Sequence, residues 1–269
     1  MQLPDPTRAT LFLDFDGVIC NSIDECYVSS WLAYHGLAKH AWPSDGRAGA
    51  RASEDAGSDI ALSDLPDSVP IADHGRFTRY RPLIRRGGDY LLLQYCVDNG
   101  IELETQCDLD SMSADLGEEG TEATHTQFYR AREQLLRDDP EYWLQLNTLY
   151  PEVARHLSRL AERHWIITTK EASFAQRILA YHAVEWPLER IICSGKSRKF
   201  SVIEDMLEEL PERRAILVDD QIDHLKEQTR PDVYGVLAAW GFVMPEWLEQ
   251  THVPILERSE IDAYLREFL

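Results

Sequence analysis

The sequence has few cysteines and no long hydrophobic run. Its 269 residues include five cysteines, an odd number without a C-x-x-C pair, which argues against a disulfide framework or a zinc site. They are Cys20, Cys26, Cys96, Cys107 and Cys193. No window is long enough to span a membrane, and residues 1–10 lack the basic start and apolar stretch of a signal peptide. These absences predict a soluble protein of the reducing cytoplasm.

Basic residues are also scarce. The chain has 27 Lys and Arg against 47 Asp and Glu, so its formal net charge is −20. Such a charge repels nucleic acids and anionic membrane surfaces, and we exclude both as partners. A small phosphorylated metabolite remains possible as the substrate if a divalent metal, Lys or Arg supplies positive charge at the binding site.

Strand and helix patterns alternate along the second half of the chain. Short apolar runs typical of buried parallel strands occur at residues 11–14, 165–168, 190–193, 215–218 and 233–238. Apolar residues at helical spacing lie between the later runs. This alternation predicts an α/β protein with a doubly wound, Rossmann-like parallel sheet.

A segment of different character interrupts this pattern and has only helical periodicity. Helices are predicted at residues 23–34, 90–98 and 121–137. Residues 43–75 are rich in Gly, Ser, Ala and Asp and lack periodicity, so we expect a long loop or a lid there. We therefore predict a core domain of residues 1–20 and 148–269, with an inserted helical domain of residues 21–147.

Polar and charged side chains end the predicted strands. They are Asp14 and Asp16 after the first strand, Thr168-Thr169-Lys170 after the second, Lys196 and Lys199 after the third, and Asp219-Asp220 after the fourth. Ligands bind beyond the carboxyl ends of the strands in an open parallel sheet, so we expect these residues to form one site.

The chemistry of this set indicates a metal and a phosphoryl group. Clustered carboxylates repel one another unless a divalent cation lies between them, and hard oxygen ligands select Mg²⁺. The candidate ligands are Asp14, Asp16, Asp219 and Asp220. The metal, a Thr hydroxyl and a Lys ammonium can hold a phosphoryl group while a carboxylate attacks it in line, and Asp14 is the candidate nucleophile.

The order of these segments resembles the haloacid dehalogenase-like superfamily. The four motifs of that superfamily are a D-x-D-G-x strand end, a Ser or Thr strand end, a Lys and an acidic pair. Residues 11–19, LFLDFDGVI, are close to the first motif throughout. The resemblance implies a Rossmann-like core with an α-helical cap inserted directly after the first motif.

The resemblance also implies roles for the first two motifs. Asp14 is the expected nucleophile and a metal ligand. Asp16 is the expected acid that protonates the leaving oxygen and later activates water. Thr168 is expected to bind the phosphoryl group.

The third and fourth motifs leave alternatives open. Lys199 is preferred over Lys196 as the motif lysine, because it directly precedes a predicted helix. Asp219 and Asp220 are expected on Mg²⁺ with Asp223 supporting them, and either member of the pair aligns as the direct ligand.

Asp16 also indicates the reaction. Dehalogenases of the superfamily lack this second Asp, so the resemblance implies phosphate ester hydrolysis or phosphoryl transfer. The expected function is a magnesium-dependent phosphatase that hydrolyses a small phosphorylated metabolite through an aspartyl-phosphate on Asp14. A phosphomutase and a catalytically weak, phosphometabolite-binding regulatory protein are the alternatives. The sequence indicates neither the substrate nor the oligomeric state.

Five arginines between residues 76 and 86 stand out in this acidic chain. Arg81 and Arg85 are the candidates for binding an anionic part of the substrate when the cap closes. The alternative is that these arginines form surface ion pairs with the abundant acidic residues.

Overall fold

The structure is a computed structural model that describes residues 2–37, 71–195, 197–210, 212–226, 230–249 and 252–269. It divides into two compact units. The core unit consists of Met1–Ser22 and Asn147–Leu269, and the insert unit of Ile23–Leu146. That these units act as a catalytic core and a cap stays a prediction.

A parallel sheet forms the centre of the core unit. The strands are β1 (Thr10–Leu13), β2 (Cys20–Asn21), β3 (Thr148–Leu149), β4 (Trp165–Thr168), β5 (Ile191–Cys193), β6 (Ala215–Asp219), β7 (Val233–Ala238) and β8 (Ile255–Leu256). Among the described residues, six of them form one sheet in the order β5-β4-β1-β6-β7-β8, with every pair parallel. β2 and β3 form a separate antiparallel pair. The sheet confirms the predicted α/β class.

The strand order reverses beside β1. The chain passes from β1 to β4 and β5 on one side, and then to β6, β7 and β8 on the other. Phe12 of β1 is in register with Trp165 of β4 and with Leu217 of β6. The carboxyl ends of these three strands therefore meet at one edge, beside the crevice where open α/β sheets bind ligands.

The insert unit is built from helices. They are α1 (Ile23–Leu37), α2 (Ile71–Tyr80), α3 (Asp89–Asp98), α4 (Gln106–Asp138) and α5 (Pro140–Gln145). α4 is broken at Gly117, whose φ of 69° is not helical. The buried ring of Tyr90 stacks on Phe77 and Phe128, with ring centroids 6.1 and 4.8 Å away. Aromatic packing thus joins α2, α3 and α4.

The prediction of a long loop at residues 43–75 is wrong for the last five residues. Residues 71–75 form the first half of α2, while residues 43–70 lie outside the described residues. Phe77 and Tyr80 are buried three residues apart on this helix, a spacing that a helix produces. The polar residues before Phe77 concealed that pattern.

A buried ion pair joins α1 and α4. Arg132 donates two hydrogen bonds of 2.8 Å to the two carboxylate oxygens of Glu25, and the Trp143 indole donates a third of 3.2 Å. The side chains of Glu25 and Arg132 are 0% and 4% exposed. Removal of either partner would leave a charge in a medium of low dielectric, so the pair fixes how the two helices pack.

Six helices of the core unit flank or follow the sheet in the described ranges. They are α6 (Pro151–Leu160), α7 (Ala172–Tyr181), α8 (Lys199–Met206), α9 (Ile222–Leu225), α10 (Pro245–Leu248) and α11 (Ile261–Arg266). Phe200 and Ile203 of α8 belong to one buried cluster with Phe12 and Leu217 of the sheet. This packing anchors the start of α8 near the carboxyl ends of the strands. In the part of the chain that the structure describes, no helix is both long and apolar enough to cross a membrane.

Candidate active site

Asp14 lies directly after β1 and is buried. Its main-chain N–H donates to the Val218 carbonyl of β6 at 2.9 Å. Its Oδ1 atom accepts a hydrogen bond of 2.6 Å from the N–H of Phe15. Burial raises the pKa of Asp14 to about 6; Lys199 opposes this rise and Asp219 adds to it. Asp14 is therefore a buried side chain at the sheet edge, held by hydrogen bonds to its own strand end and to β6.

Lys199 connects two of the carboxylates. Its Nζ atom lies 2.8 Å from Oδ1 of Asp14 and 2.7 Å from Oδ2 of Asp219, and its side chain is 1% exposed. Burial alone would lower the pKa of Lys199, but the attraction of the two carboxylates outweighs burial and raises it. Lys199 is the first residue of α8, whereas Lys196 lies outside the described residues.

Asp219 is held from several sides. Besides Lys199, the N–H of Gln221 donates to Oδ1 at 2.8 Å, and Nδ1 of His224 lies 3.0 Å from Oδ2. Burial alone would raise the pKa of Asp219, but His224 and Lys199 outweigh it and lower the pKa. Asp219 is therefore a fixed anion at the end of β6.

Asp220 fits against two glycines. The N–H of Phe242 donates to its Oδ2 atom at 2.7 Å. A Cβ atom placed on Gly17 would lie 1.9 Å from that oxygen, and one on Gly241 would lie 2.4 Å from Cβ of Asp220. Asp220 comes so close to the main chain at both positions that a side chain larger than that of glycine would overlap it.

The three carboxylates form a cluster that fits a metal ion. Among the described residues, Asp14, Asp219 and Asp220 each offer an oxygen, and these atoms all lie within 4.8 Å of one another. Lys199 pairs with only two of these three buried acidic groups, so negative charge remains in excess, and a divalent cation can neutralise it. Donors that are all oxygens fit hard ions such as Mg²⁺.

Asp16 lies outside this cluster. Its Oδ1 atom is 3.1 Å from Nζ of Lys170, and its side chain is 18% exposed. Its role as a metal ligand stays a prediction. Thr168, at the end of β4, is buried, and its Oγ1 atom accepts a hydrogen bond of 3.1 Å from the N–H of Lys170.

The remaining candidates have partners of their own. In the insert unit, the Arg81 guanidinium carbon lies 5.3 Å from the centroid of the Tyr90 ring, and Nη1 of Arg85 lies 3.2 Å from Asp110. In the core unit, Asp223 pairs with Lys226 at 3.1 Å. The roles predicted for Arg81, Arg85 and Asp223 stay predictions.

Sequence reasoning missed His224 and Gly241. His224 reaches Asp219 because α9 begins at Ile222, and its first turn brings the fifth residue after Asp219 back to the strand end. The short helical spacing of Ile222 and Leu225 after the acidic pair was the available signal. The close approach of Gly241 to Asp220 was not predicted, because the two residues are 21 positions apart in the sequence.

Solved structures share this fold, although no family model and no curated protein match the sequence. A haloacid dehalogenase-like hydrolase from Streptococcus pneumoniae is 16% identical with a TM-score of 0.54, over 96% of this chain and 99% of the other. A protein described as a predicted phosphatase from Clostridium acetobutylicum is 14% identical with a TM-score of 0.55, over 96% and 98%. Protein Tyrosine Kinase A from Mycobacterium tuberculosis is 17% identical with a TM-score of 0.51, over 96% and 98%.

These similar structures carry names from more than one class of function, so the fold alone does not decide the reaction. They do cover both units of the chain, including the helical insertion. The chain therefore has the haloacid dehalogenase-like fold that its motifs predict.

Proposed function

We propose that the protein is a magnesium-dependent phosphatase that hydrolyses a small phosphorylated metabolite through an aspartyl-phosphate on Asp14. The observation that carries the proposal is the Lys199 ammonium, which lies 2.8 Å from Asp14 and 2.7 Å from Asp219 inside a buried acidic cluster. A carboxylate that attacks an anionic phosphoryl group needs positive charge beside it, and Lys199 supplies that charge.

In the first step, a carboxylate oxygen of Asp14 attacks phosphorus. The ester P–O bond breaks with its electron pair on the leaving oxygen, and Asp16 gives that oxygen a proton. Thr168 and Lys199 bind the phosphoryl oxygens during the transfer. The product alcohol leaves, and phosphorus is bonded to Asp14.

In the second step, a water molecule attacks the same phosphorus. Asp16, now a carboxylate, takes a proton from that water. The bond between phosphorus and Asp14 breaks, its electron pair returns to the carboxylate, and inorganic phosphate leaves. Asp14 and Asp16 are then ready for another cycle.

The carboxylates of Asp14, Asp219 and Asp220 are the proposed ligands of Mg²⁺. When bound, the ion would neutralise these carboxylates and stabilise the charge on the phosphoryl oxygens. His224 and Lys199 hold Asp219 from the side, and Phe242 holds Asp220. The residues of the chain thus keep the ligands in place.

Substrate selection is proposed for the insert unit, with Arg81 and Arg85 as candidate contacts for an anionic group. Arg85 already pairs with Asp110 at 3.2 Å, so an anionic substrate would have to displace that carboxylate. A cytoplasmic location also stays a prediction.

The test is a phosphatase screen over sugar phosphates, phosphoglycolate, nucleoside monophosphates and an activated aryl phosphate. We expect phosphate release that requires Mg²⁺ and stops when a chelator is added. Asp14→Asn should lower turnover on the order of a thousandfold or more, because it removes the nucleophile and preserves the shape. Asp205→Asn makes the same chemical change at an exposed site of α8 and should leave turnover intact.

Three results would contradict the proposal. One is the absence of phosphate release from every ester in the presence of Mg²⁺. Another is binding of a phosphorylated metabolite without turnover, which would identify a binding protein. The third is phosphate appearing on a second hydroxyl of the substrate, which would identify a phosphomutase.

A further inference from the structure

We infer that Lys170 is a positioning residue that holds the carboxyl group of Asp16 in place for proton transfer. The inference rests on the proposed function, in which Asp16 is the acid and then the base. The inference gives a role to Lys170, which the sequence analysis named only as the last residue of Thr168-Thr169-Lys170 at the end of the second predicted strand.

The first observation is the burial of the Lys170 ammonium beside Asp16. The Nζ atom lies 3.1 Å from Oδ1 of Asp16, and the Lys170 side chain is 3% exposed. The centroid of the buried Phe15 ring lies 5.8 Å from the same Nζ atom. Taking a lysine out of water is costly unless an anion pairs with it. The Asp16 carboxylate is such an anion, and the buried ammonium is therefore in contact with the candidate acid.

The second observation concerns the main chain of the same residue. The N–H of Lys170 donates to Oγ1 of Thr168 at 3.1 Å. Because this oxygen accepts from Lys170, the hydroxyl hydrogen of Thr168 can point toward a phosphoryl oxygen. Lys170 thus orients Thr168 with its main chain and Asp16 with its side chain.

The sheet explains why these residues meet. β1 and β4 are adjacent and parallel, with Leu13 in register with Ile166. Asp16 follows Leu13 by three residues and Lys170 follows Ile166 by four, so both lie just beyond the same edge. Neighbouring strand ends therefore bring the pair together without any contribution from a distant loop.

The ion pair matches the charge that develops in the proposed reaction. When the O–H bond of Asp16 breaks, the proton joins the leaving oxygen and the electron pair stays on the Asp16 carboxylate. The Lys170 ammonium faces Oδ1 of that group, so its attraction increases as the proton leaves. Lys170 loses no proton itself and acts only through Asp16.

The experiment compares two substrates that differ in their need for an acid. The alkoxy group of an alkyl phosphate leaves as a basic alkoxide unless an acid protonates its oxygen. The leaving group of p-nitrophenyl phosphate is a stable phenolate, which needs no acid. We expect Lys170→Met to lower kcat/KM about a hundredfold on the alkyl phosphate and less than about tenfold on p-nitrophenyl phosphate. The comparison uses kcat/KM because it reports only the first step, whereas kcat also includes the second step, which needs Asp16 with either substrate. Asp16→Asn should show the same bias between the substrates.

A double-mutant cycle separates action through Asp16 from an independent role. If Lys170 acts through Asp16, Lys170→Met should have little further effect on alkyl phosphate turnover once Asp16→Asn is present. If the two residues act independently, the two losses in kcat/KM should multiply. Lys170→Gln, which keeps a polar tip, serves as a second variant in the same cycle.

The outcomes distinguish the inference from the proposed function. A wild-type protein without phosphatase activity overturns both. If the wild type is active, three results overturn the inference alone. One is an equal loss of kcat/KM on both substrates in Lys170→Met, and another is an unchanged kcat/KM on both. The third result is a loss in kcat/KM that multiplies with the loss caused by Asp16→Asn. Failure of both Lys170 variants to fold while Asp16→Asn folds would show that Lys170 is structural, and would also overturn the inference.

Discussion

At the scale of single residues, Gly17 shows how closely the site is packed. Its φ is +91°, a conformation that favours glycine, and a Cβ atom there would lie 1.9 Å from Oδ2 of Asp220. The glycine of the first motif is thus needed for two reasons, the turn after β1 and the space for the Asp220 carboxylate, which follows β6.

We predict that Gly17→Ala displaces Asp220 and lowers turnover about a hundredfold, since a displacement of about 1 Å in an active site has this effect. Gly100→Ala is the matched control, because Gly100 also has a positive φ of +66° but no atom within 4 Å of the Cβ position. It should cost about 1 kcal/mol of stability and leave turnover unchanged. Steady-state kinetics and urea unfolding of both variants provide the check. Equal turnover in the two variants would contradict the packing argument.

Sequence reasoning could predict site residues whose positions follow from strand ends. The structure brings Asp14, Lys199, Asp219 and Asp220 together, as the order of the strands leads one to expect. It did not predict His224, whose contact depends on where a short helix begins after the strand.

At the scale of elements, His164 joins β1 to the C-terminal end of the chain. The N–H of Leu11 donates to Nδ1 of His164 at 3.1 Å, so the ring proton is on Nε2, which lies 3.1 Å from the Phe268 carbonyl oxygen. Burial lowers the pKa of His164 below its usual value. The neutral ring is therefore the form that the fold uses.

This arrangement predicts a loss of stability in acid. The unfolded chain binds a proton to His164 at a higher pH than the folded chain does. The contribution to stability is therefore complete above the ordinary pKa of 6.5 and is lost as the pH falls from there toward the lower folded value. The free energy of unfolding should fall by up to about 1.4 kcal/mol per pH unit in that window.

Urea unfolding of the wild type and of His164→Gln at several pH values measures this effect. Groups other than His164 contribute equally to both proteins, so the difference in stability between them isolates the histidine. We expect the difference to shrink as the pH falls below about 6.5. A difference that is constant with pH would show that His164 is not held in its neutral form.

The elements themselves were predictable where the apolar pattern was long enough. The five predicted strands correspond to β1, β4, β5, β6 and β7. β8 was missed because it has two residues, Ile255 and Leu256, which is too short for a periodic pattern. α2 was not among the predicted helices, because the five residues before Phe77 are polar or small.

At the scale of the whole molecule, the strand order makes one site from segments that are far apart in sequence. Asp14 and Asp219 are separated by about two hundred positions in the sequence, yet they lie at the carboxyl ends of adjacent strands of one sheet. The formal net charge of −20 makes the local cation Lys199 more informative, because the chain as a whole repels anions. The substrate is not predictable at this scale, since a fold supports many reactions and binding depends on particular side chains.

The most direct test of the account is to trap the covalent intermediate. The protein would be mixed with an activated aryl phosphate and Mg²⁺, quenched in acid during turnover, digested and analysed by mass spectrometry. The account predicts phosphate on the peptide that contains Asp14, and no such peptide from Asp14→Asn. Undiminished turnover in Asp14→Asn, or phosphate attached to a residue other than Asp14, would contradict it.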